Sequence, residues 1–199
     1  MNTDSKSVRQ NILDVARPIV GRKGFSAVGL NEVLHAAEVP KGSFYHYFGS
    51  KDAFGVALLD DYFDNYVHGM QQLFQQPGLS GNAKLLLYWQ CWIDNQTGQM
   101  DGTKCLAVKL GAEVADLSEP MRLALDRGTS RTINLLAVAM QQGIEDGSLT
   151  FGQAPEALAL RLYTLWLGAS VLAKITRTCG PFDEALAMTR QLMGCVDSQ

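Results

Sequence analysis

The segment between Pro40 and Lys51 contains the side chains best suited to contact a nucleic acid. Its long or polar groups can reach phosphates and base edges: Lys41, Ser43, Tyr45, His46, Tyr47 and Lys51. Phe44 and Phe48 lie four residues apart, so they share one face of a helix and can anchor it to a core. Gly42 is the small residue that a close helix approach needs. The segment therefore predicts a helix with one buried face and one face for DNA.

Two kinds of contact are expected from this helix: phosphate contacts from Lys41, Tyr45, His46 and Lys51, and base or backbone contacts from Ser43 and Tyr47. Two alternatives stay open at this stage. In one, Tyr45 packs inward and leaves Tyr47 outermost. In the other, His46 caps or packs against the first helix, since histidine serves both roles.

A second short helix precedes this one. Residues 30–37 place Leu30, Val33, Leu34 and Ala37 on one helical face, and residues 38–40 form the turn. Two short helices joined by a brief turn predict a helix-turn-helix, in which the second helix reads the major groove of DNA.

The remainder of the chain is also predicted to be helical. Apolar spacing indicates helices over residues 6–23, 51–75, 82–98, 105–116, 118–147, 154–178 and 182–196. Pro18 is expected to remove one backbone hydrogen bond within the first of them. No convincing strand pattern is found, so the predicted fold class is all-α with about nine helices. We expect a DNA-binding domain over residues 1–50 and a regulatory and dimerisation domain over residues 51–199.

The charge distribution agrees with a local DNA-binding surface on an acidic protein. The net charge is −3, but residues 1–51 carry seven Lys or Arg against four acidic residues, and the remainder carries ten against sixteen. This asymmetry favours oriented DNA binding over general polyanion binding. The sequence contains no run of roughly 20 apolar residues and begins with polar residues, so a cytoplasmic protein without a membrane partner is expected.

Four cysteines are present, at positions 91, 105, 179 and 195, and none forms a CxxC pair. Neither a zinc site nor a thioredoxin-like pair is therefore predicted, and no cofactor is expected. Cys105 differs from the others because it opens a predicted helix between Lys104 and Lys109. The positive end of the helix dipole and both cations favour the thiolate, which is the form that adds to electrophiles and is oxidised. Cys91 is predicted to be an unreactive core thiol.

Lys174 ends the uncharged stretch 162–173, where a charge is costly unless it has a partner. The alternative, favoured by physical reasoning alone, is that its ammonium extends to water near a helix C-terminus.

Two broad apolar bands in the last two helices predict a homodimer interface: Leu158, Leu162, Leu165, Trp166, Ala169, Leu172 and Ala173 in one, and Ala185, Leu186, Met188, Leu192 and Met193 in the other. The alternative is that both bands only fill the core of one chain.

The helix-turn-helix region resembles the DNA-binding domain of the tetracycline-repressor (TetR) family. The resemblance rests on Gly24-Phe25, on residues 33–37, on residues 41–48 and on Ser50-Lys51. Family members usually have two hydroxyl residues where this chain has Val28-Gly29, a Gly at the position of Glu38 and a Ser at the position of Pro40. The resemblance implies a dimer that binds a palindromic operator in double-stranded DNA through two reading heads.

The regulatory half is similar to TetR-family repressors that sense reactive electrophiles and chlorine oxidants. This similarity rests on residues 105–110, 112–114, 116–119, 165–169 and 173–175. It implies that Cys105 is the sensing nucleophile and Lys174 its reaction or charge partner, joined to sulfur through nitrogen after oxidation. It also implies release of the operator when quinones, aldehydes or hypochlorous acid modify Cys105. Ala115 stands at a position of a second cysteine, so no disulfide is expected there.

Two other functions are weighed against this one. A noncovalent regulator would hold an apolar ligand in a pocket formed by Trp89, Trp92, Tyr163 and Trp166. A thiol enzyme would use Cys105 catalytically, but no resolving-cysteine spacing and no histidine or carboxylate base tied to the thiol is evident. The chain is therefore not expected to be an enzyme.

Overall fold

The computed structural model describes residues 3–98 and 105–194, with side chains from residue 8 onward. Within these ranges it contains nine α-helices and no strand, as the sequence predicts. The helices are α1 (Thr3–Lys23), α2 (Leu30–Ala36), α3 (Lys41–Phe48), α4 (Lys51–Phe74), α5 (Gly81–Thr97), α6 (Leu106–Ala115), α7 (Glu119–Glu145), α8 (Pro155–Thr176) and α9 (Gly180–Met193). Helix α1 continues through Pro18. Residues 195 and 196, the end of the last predicted helix, lie outside the described ranges.

The helices are divided between two compact units. The first unit comprises residues 1–65 and 101–129, and the second comprises residues 66–100 and 130–199. The first unit therefore holds α1–α3, the start of α4, α6 and the start of α7. The functional boundary after residue 50 stays a prediction. The structure adds that the segment opening at Cys105 folds in the same unit as the helix-turn-helix.

Aromatic side chains build the core beneath the helix-turn-helix. Phe44 and Phe48 of α3 are buried, and their rings lie 5.3 and 5.1 Å from the ring of Phe54 in α4. Phe25, in the turn after α1, packs on the same Phe54 ring at 6.3 Å. The i, i+4 pair inferred from the sequence therefore anchors α3, which leaves its other face available.

In the second unit, α8 packs against α9 around a core of large rings. Trp89 and Trp166 are fully buried and stack with their ring centroids 4.6 Å apart and their planes nearly parallel. By length and composition alone, α8 would be long and apolar enough to cross a membrane. Its inward face, however, is part of this core, including Leu158, Leu162 and Trp166.

Candidate DNA-binding surface and sensor thiol

Helix α3 exposes one polar face, as the sequence predicts. Lys41, Gly42, Tyr45 and His46 are exposed, whereas Ser43 and Tyr47 are half-buried. Tyr45 is 52% exposed, with its ring edge-on to Phe44, so the alternative in which it packs inward is wrong. The ring of His46 contacts that of Tyr47 at 5.1 Å and stays exposed. This geometry offers one cation and two hydrogen-bonding rings to a groove.

The backbone around α2 and α3 shows how the chain accommodates its three departures from the usual family sequence. Glu38 has φ 57°, in the left-handed region that favours glycine, which accounts for the Gly common at this position. Gly29 is the N-cap of α2 and provides no side-chain hydrogen bond to it. Pro40 is the N-cap of α3 with φ −65°, an angle that proline prefers. The turn therefore forms with a residue under backbone strain at Glu38.

Lys51 contributes to the structure of the DNA-reading head itself, that is, of helices α1–α3 and the start of α4. Its Nζ donates a hydrogen bond of 3.1 Å to the carbonyl oxygen of Val28 and lies 5.1 Å from the centre of the Phe25 ring. The side chain is nevertheless exposed. Its phosphate contact stays a prediction, and its replacement is expected to affect folding as well as DNA binding.

A polar network absent from the sequence predictions joins α1 to α4. The carboxylate of Asp61 accepts a hydrogen bond of 2.8 Å from Gln10 Nε2 and pairs with the guanidinium of Arg17. Both members of the ion pair are largely shielded from solvent. Only the three-dimensional fold brings residues 10, 17 and 61 together, because α1 and α4 are separated in sequence by the helix-turn-helix.

Cys105 lies at the N-terminus of α6, as predicted. It is the N-cap residue, and its carbonyl oxygen accepts a hydrogen bond of 3.1 Å from the amide of Lys109. Cys105 is buried, with 8% of its surface exposed. The positive end of the α6 dipole lies at this N-cap residue. Lys104, the second cation expected near this thiol, lies outside the described residues.

The opposite end of α6 contacts the turn that follows α1. The carboxylate of Glu113 accepts hydrogen bonds from the backbone amides of Ser26 at 2.6 Å and Phe25 at 3.2 Å. Burial acts to raise the pKa of Glu113, but the hydrogen bonds from Ser26 and Phe25 and the charge of Lys109 outweigh it, so this pKa lies below the ordinary carboxyl value. Glu113 is therefore held as a carboxylate against the backbone of the reading head.

Gly24 makes this contact possible. Its φ of 90° is in the region that favours glycine, and a Cβ atom there would lie 2.6 Å from a Glu113 carboxylate oxygen. No functional role for Glu113 is predicted from the sequence. Lys109 and Glu113 are spaced i, i+4, which is typical of an ordinary surface ion pair. The sequence pattern therefore suggests a local partner for Glu113 and not its contact with the distant turn.

Two further contacts join the 105–129 segment to the head. The hydroxyl of Ser118 donates a hydrogen bond of 3.1 Å to Asp52 in the first turn of α4. Met121 packs closely against Gly55 of the same helix, where a Cβ atom would collide with its sulfur. The segment therefore contacts both the turn before the helix-turn-helix and the helix after it.

The other cysteines and Lys174 lie in different surroundings. Cys91 is half-buried rather than in the core, and burial together with the carboxylate of Asp94 raises the pKa of its thiol, which agrees with low reactivity. Cys179 is exposed at the N-cap of α9, and Cys195 lies outside the described residues. Lys174 is exposed in the last turn of α8, in the second unit. Its partnership with Cys105 stays a prediction.

The four aromatic residues considered as a ligand pocket are buried and contact one another. Trp92 lies 5.9 Å from Tyr163 and 6.4 Å from Trp166, measured between ring centroids. The indole of Trp92 donates to Ser170, and that of Trp166 donates to Thr189, both at 2.9 Å. These rings form the core of the second unit, so a ligand would have to displace packed rings. Their role in ligand binding stays a prediction.

The expected dimer bands require a correction. Leu158, Leu162, Trp166 and Ala169 of the first band are buried within the chain itself, as are Ala185 and Met193 of the second. The alternative that the bands fill one chain's core is correct for these residues. Leu172 of the first band is exposed, and with Leu160, Val171 and Ile175 it forms an exposed apolar face of α8. Ile175 is 71% exposed and Met188 of α9 is 44% exposed. The error arose because α8 is apolar on nearly all sides, so its sequence does not distinguish its two faces.

The fold and the exposed recognition helix define a helix-turn-helix DNA-binding regulator. The described residues contain no cluster of three or more potential metal ligands. Residues 12–58 match the model of the bacterial regulatory proteins of the tetR family, and residues 81–189 match the tetracyclin repressor-like C-terminal domain. The chain belongs to the TetR family of transcriptional regulators. Members of this family bind operator DNA and act as dimers.

Two related repressors and one crystal structure match this chain over most of its length. The chain is 43% identical over 187 residues to the HTH-type transcriptional repressor NemR of Escherichia coli K12, covering 93% of both chains. It is 30% identical over 181 residues to the repressor DhaR of Mycobacterium sp. GP1, covering 91% of this chain and 89% of that one. The crystal structure of the reduced form of E. coli NemR superimposes with a TM-score of 0.88 at 41% identity, covering 96% of this chain and 99% of the other. The chain is therefore a NemR-like repressor.

Proposed function

We propose that this protein is a cytoplasmic repressor that binds a palindromic operator as a homodimer and releases it when a reactive electrophile or oxidant modifies Cys105. One observation carries the proposal: Cys105 occupies the N-cap position of α6, and α6 belongs to the same compact unit as the helix-turn-helix. Similarity to NemR, solved in a reduced form, supports a redox-dependent state.

The chemistry of the first step follows from the position of the sulfur. The dipole of α6 stabilises a thiolate at its N-terminus. A quinone or maleimide is attacked by this thiolate at an electron-poor carbon of the ring, and the resulting enolate takes a proton from water. With hypochlorous acid, the thiolate takes chlorine from the oxidant, which leaves hydroxide and a sulfur–chlorine bond, so sulfur is oxidised by two electrons. The neutral amine of Lys174 is proposed to displace chloride from this sulfur, forming the sulfur–nitrogen bond and losing its proton to hydroxide.

Release of DNA then requires only a small movement of the reading heads. A helix-turn-helix dimer must engage two half-sites separated by about 34–36 Å. Losing the register of one head also removes the gain in affinity from simultaneous binding. The exposed apolar face of α8, with Met188 of α9, is the surface proposed to form the dimer.

The test compares three proteins on DNA from the region upstream of their own gene. Wild type, Cys105→Ser and Cys179→Ser are treated with a quinone or with hypochlorous acid, and operator binding is measured before and after treatment. Cys179→Ser is the matched control because this cysteine is exposed. We expect release by wild type and Cys179→Ser only. Release by Cys105→Ser would contradict the proposal and favour noncovalent sensing.

A further inference from the structure

Resting on this proposed function, we propose that Glu113 is the positioning residue that fixes the reading head against α6 and couples modification of Cys105 to operator affinity. Its carboxylate accepts hydrogen bonds from two successive backbone amides, those of Phe25 and Ser26. A contact to backbone holds the path of the chain itself, whereas a contact to a side chain can be lost by a rotamer change. Glu113 thereby determines where the turn between α1 and α2 lies.

The turn is connected to the DNA-reading surface by a short path. Residues 24–26 lead into α2, which begins at Leu30, and α2 leads through the strained turn at Glu38 into α3. Phe25, whose amide is held by Glu113, packs on Phe54, the ring that also contacts Phe44 and Phe48 of α3. Movement of this turn therefore changes the support of the reading helix.

Helix α6 connects the thiol to this contact. Cys105 and Glu113 are eight residues apart, which corresponds to about 12 Å along a helix. Leu106, next to the thiol, lies beside Gly21 of α1, and Glu113 contacts the turn after α1. Because Cys105 is 8% exposed, an adduct on its sulfur requires its neighbours to move. A rigid helix carries that displacement to Glu113.

A small displacement of Glu113 is enough to break its contact with the turn. The two hydrogen bonds are 2.6 and 3.2 Å long, and such contacts cease to be hydrogen bonds beyond about 3.5 Å. A shift of the carboxylate by about 1 Å away from the turn would therefore break both. The hydrogen bond from Ser118 to Asp52 and the contact of Met121 with Gly55 involve α4 rather than the turn, so the Glu113 contact is separable from them by mutation.

The test uses Glu113→Ala, Glu113→Gln and the matched control Glu145→Ala, which removes an exposed carboxylate of α7 in the second unit. Operator Kd is measured before and after modification by p-benzoquinone, with occupancy of Cys105 checked by mass spectrometry. Hydrogen exchange of the Phe25 and Ser26 amides is measured in parallel. Glu113→Gln keeps the size of the side chain and one good acceptor, so it remains informative where the alanine variant fails to fold.

In wild type and Glu145→Ala we expect modification to raise Kd by about tenfold or more, within the range of typical coupling between sites. In Glu113→Ala the ratio should fall to within about threefold, although Cys105 is modified to the same extent. The two amides should exchange at least about tenfold faster, and Glu113→Gln should lie between. A ratio and exchange rates equal to those of wild type would overturn the proposal.

Failure of the proposed function gives a different pattern. If wild type itself keeps its operator after Cys105 is modified, the sensing function is wrong. The role of Glu113 is then decided by the unmodified proteins. Faster exchange of both amides and operator affinity about tenfold weaker in Glu113→Ala support positioning, and unchanged values for both reject it.

Discussion

Glu38 offers an opportunity to stabilise the reading head by removing a side chain. This residue has φ 57° in the turn before the recognition helix. The left-handed conformation costs a residue with a Cβ atom about 1–2 kcal/mol. Glycine avoids this strain but loses about 0.5–1 kcal/mol more conformational entropy on folding. The difference predicts that Glu38→Gly stabilises the protein by about 0.5–1 kcal/mol. For a chain of this size, this corresponds to a rise in Tm of about 1–4 °C.

The assay is thermal unfolding followed by circular dichroism at equal protein concentration, since Tm of a dimer depends on concentration. Glu38→Ala is the control that removes the same charge but keeps the Cβ atom, and it should show no such gain. Ala36→Gly, in α2 at an exposed position, should lower stability by up to about 1 kcal/mol. A Glu38→Gly protein no more stable than Glu38→Ala would refute the strain inferred from the backbone angle.

Three further predictions concern DNA binding, acid stability and assembly. Lys41→Ala should weaken operator binding and reduce the slope of log K against log salt by about one, whereas Lys51→Ala should also lower Tm because its ammonium contacts Val28 and Phe25. The Ser148 hydroxyl and the amides of Gly81 and Ser148 hold the pKa of Asp146 below its ordinary value. The contribution of these hydrogen bonds to the free energy of unfolding is therefore fully present above about pH 4 and is lost as pH falls through the lowered pKa. Asp146→Ala should show less of this acid dependence in urea unfolding between neutral pH and pH 2.5. Ile175→Glu, which charges the exposed face of α8, should yield monomers by light scattering, unlike Leu117→Glu at another exposed apolar site.

Local spacing was sufficient to predict most of the fold. The i, i+4 pair of Phe44 and Phe48 and the breaks at Gly and Pro gave the helix boundaries, because caps and apolar periodicity are local properties. The outward direction of Tyr45 was open in the sequence and became clear only from the packing of α3 on Phe54.

The couplings between helices were not accessible from the sequence. Glu113 contacts Phe25 and Ser26 across nearly 90 positions, and Asp61 joins Gln10 and Arg17 from another helix. Nothing in local pattern encodes such distant pairs. The two faces of α8 could not be separated either, since a helix apolar on most sides has no periodic signal that distinguishes core from interface.

The most direct measurement of the central claim is operator release by wild type, Cys105→Ser and Cys179→Ser after treatment with a quinone, with the site of modification identified by mass spectrometry. We expect wild type and Cys179→Ser to lose the operator as Cys105 becomes modified, and Cys105→Ser to stay bound. Equal release by all three proteins, or retention of the operator by wild type fully modified at Cys105, would show that Cys105 is not the switch.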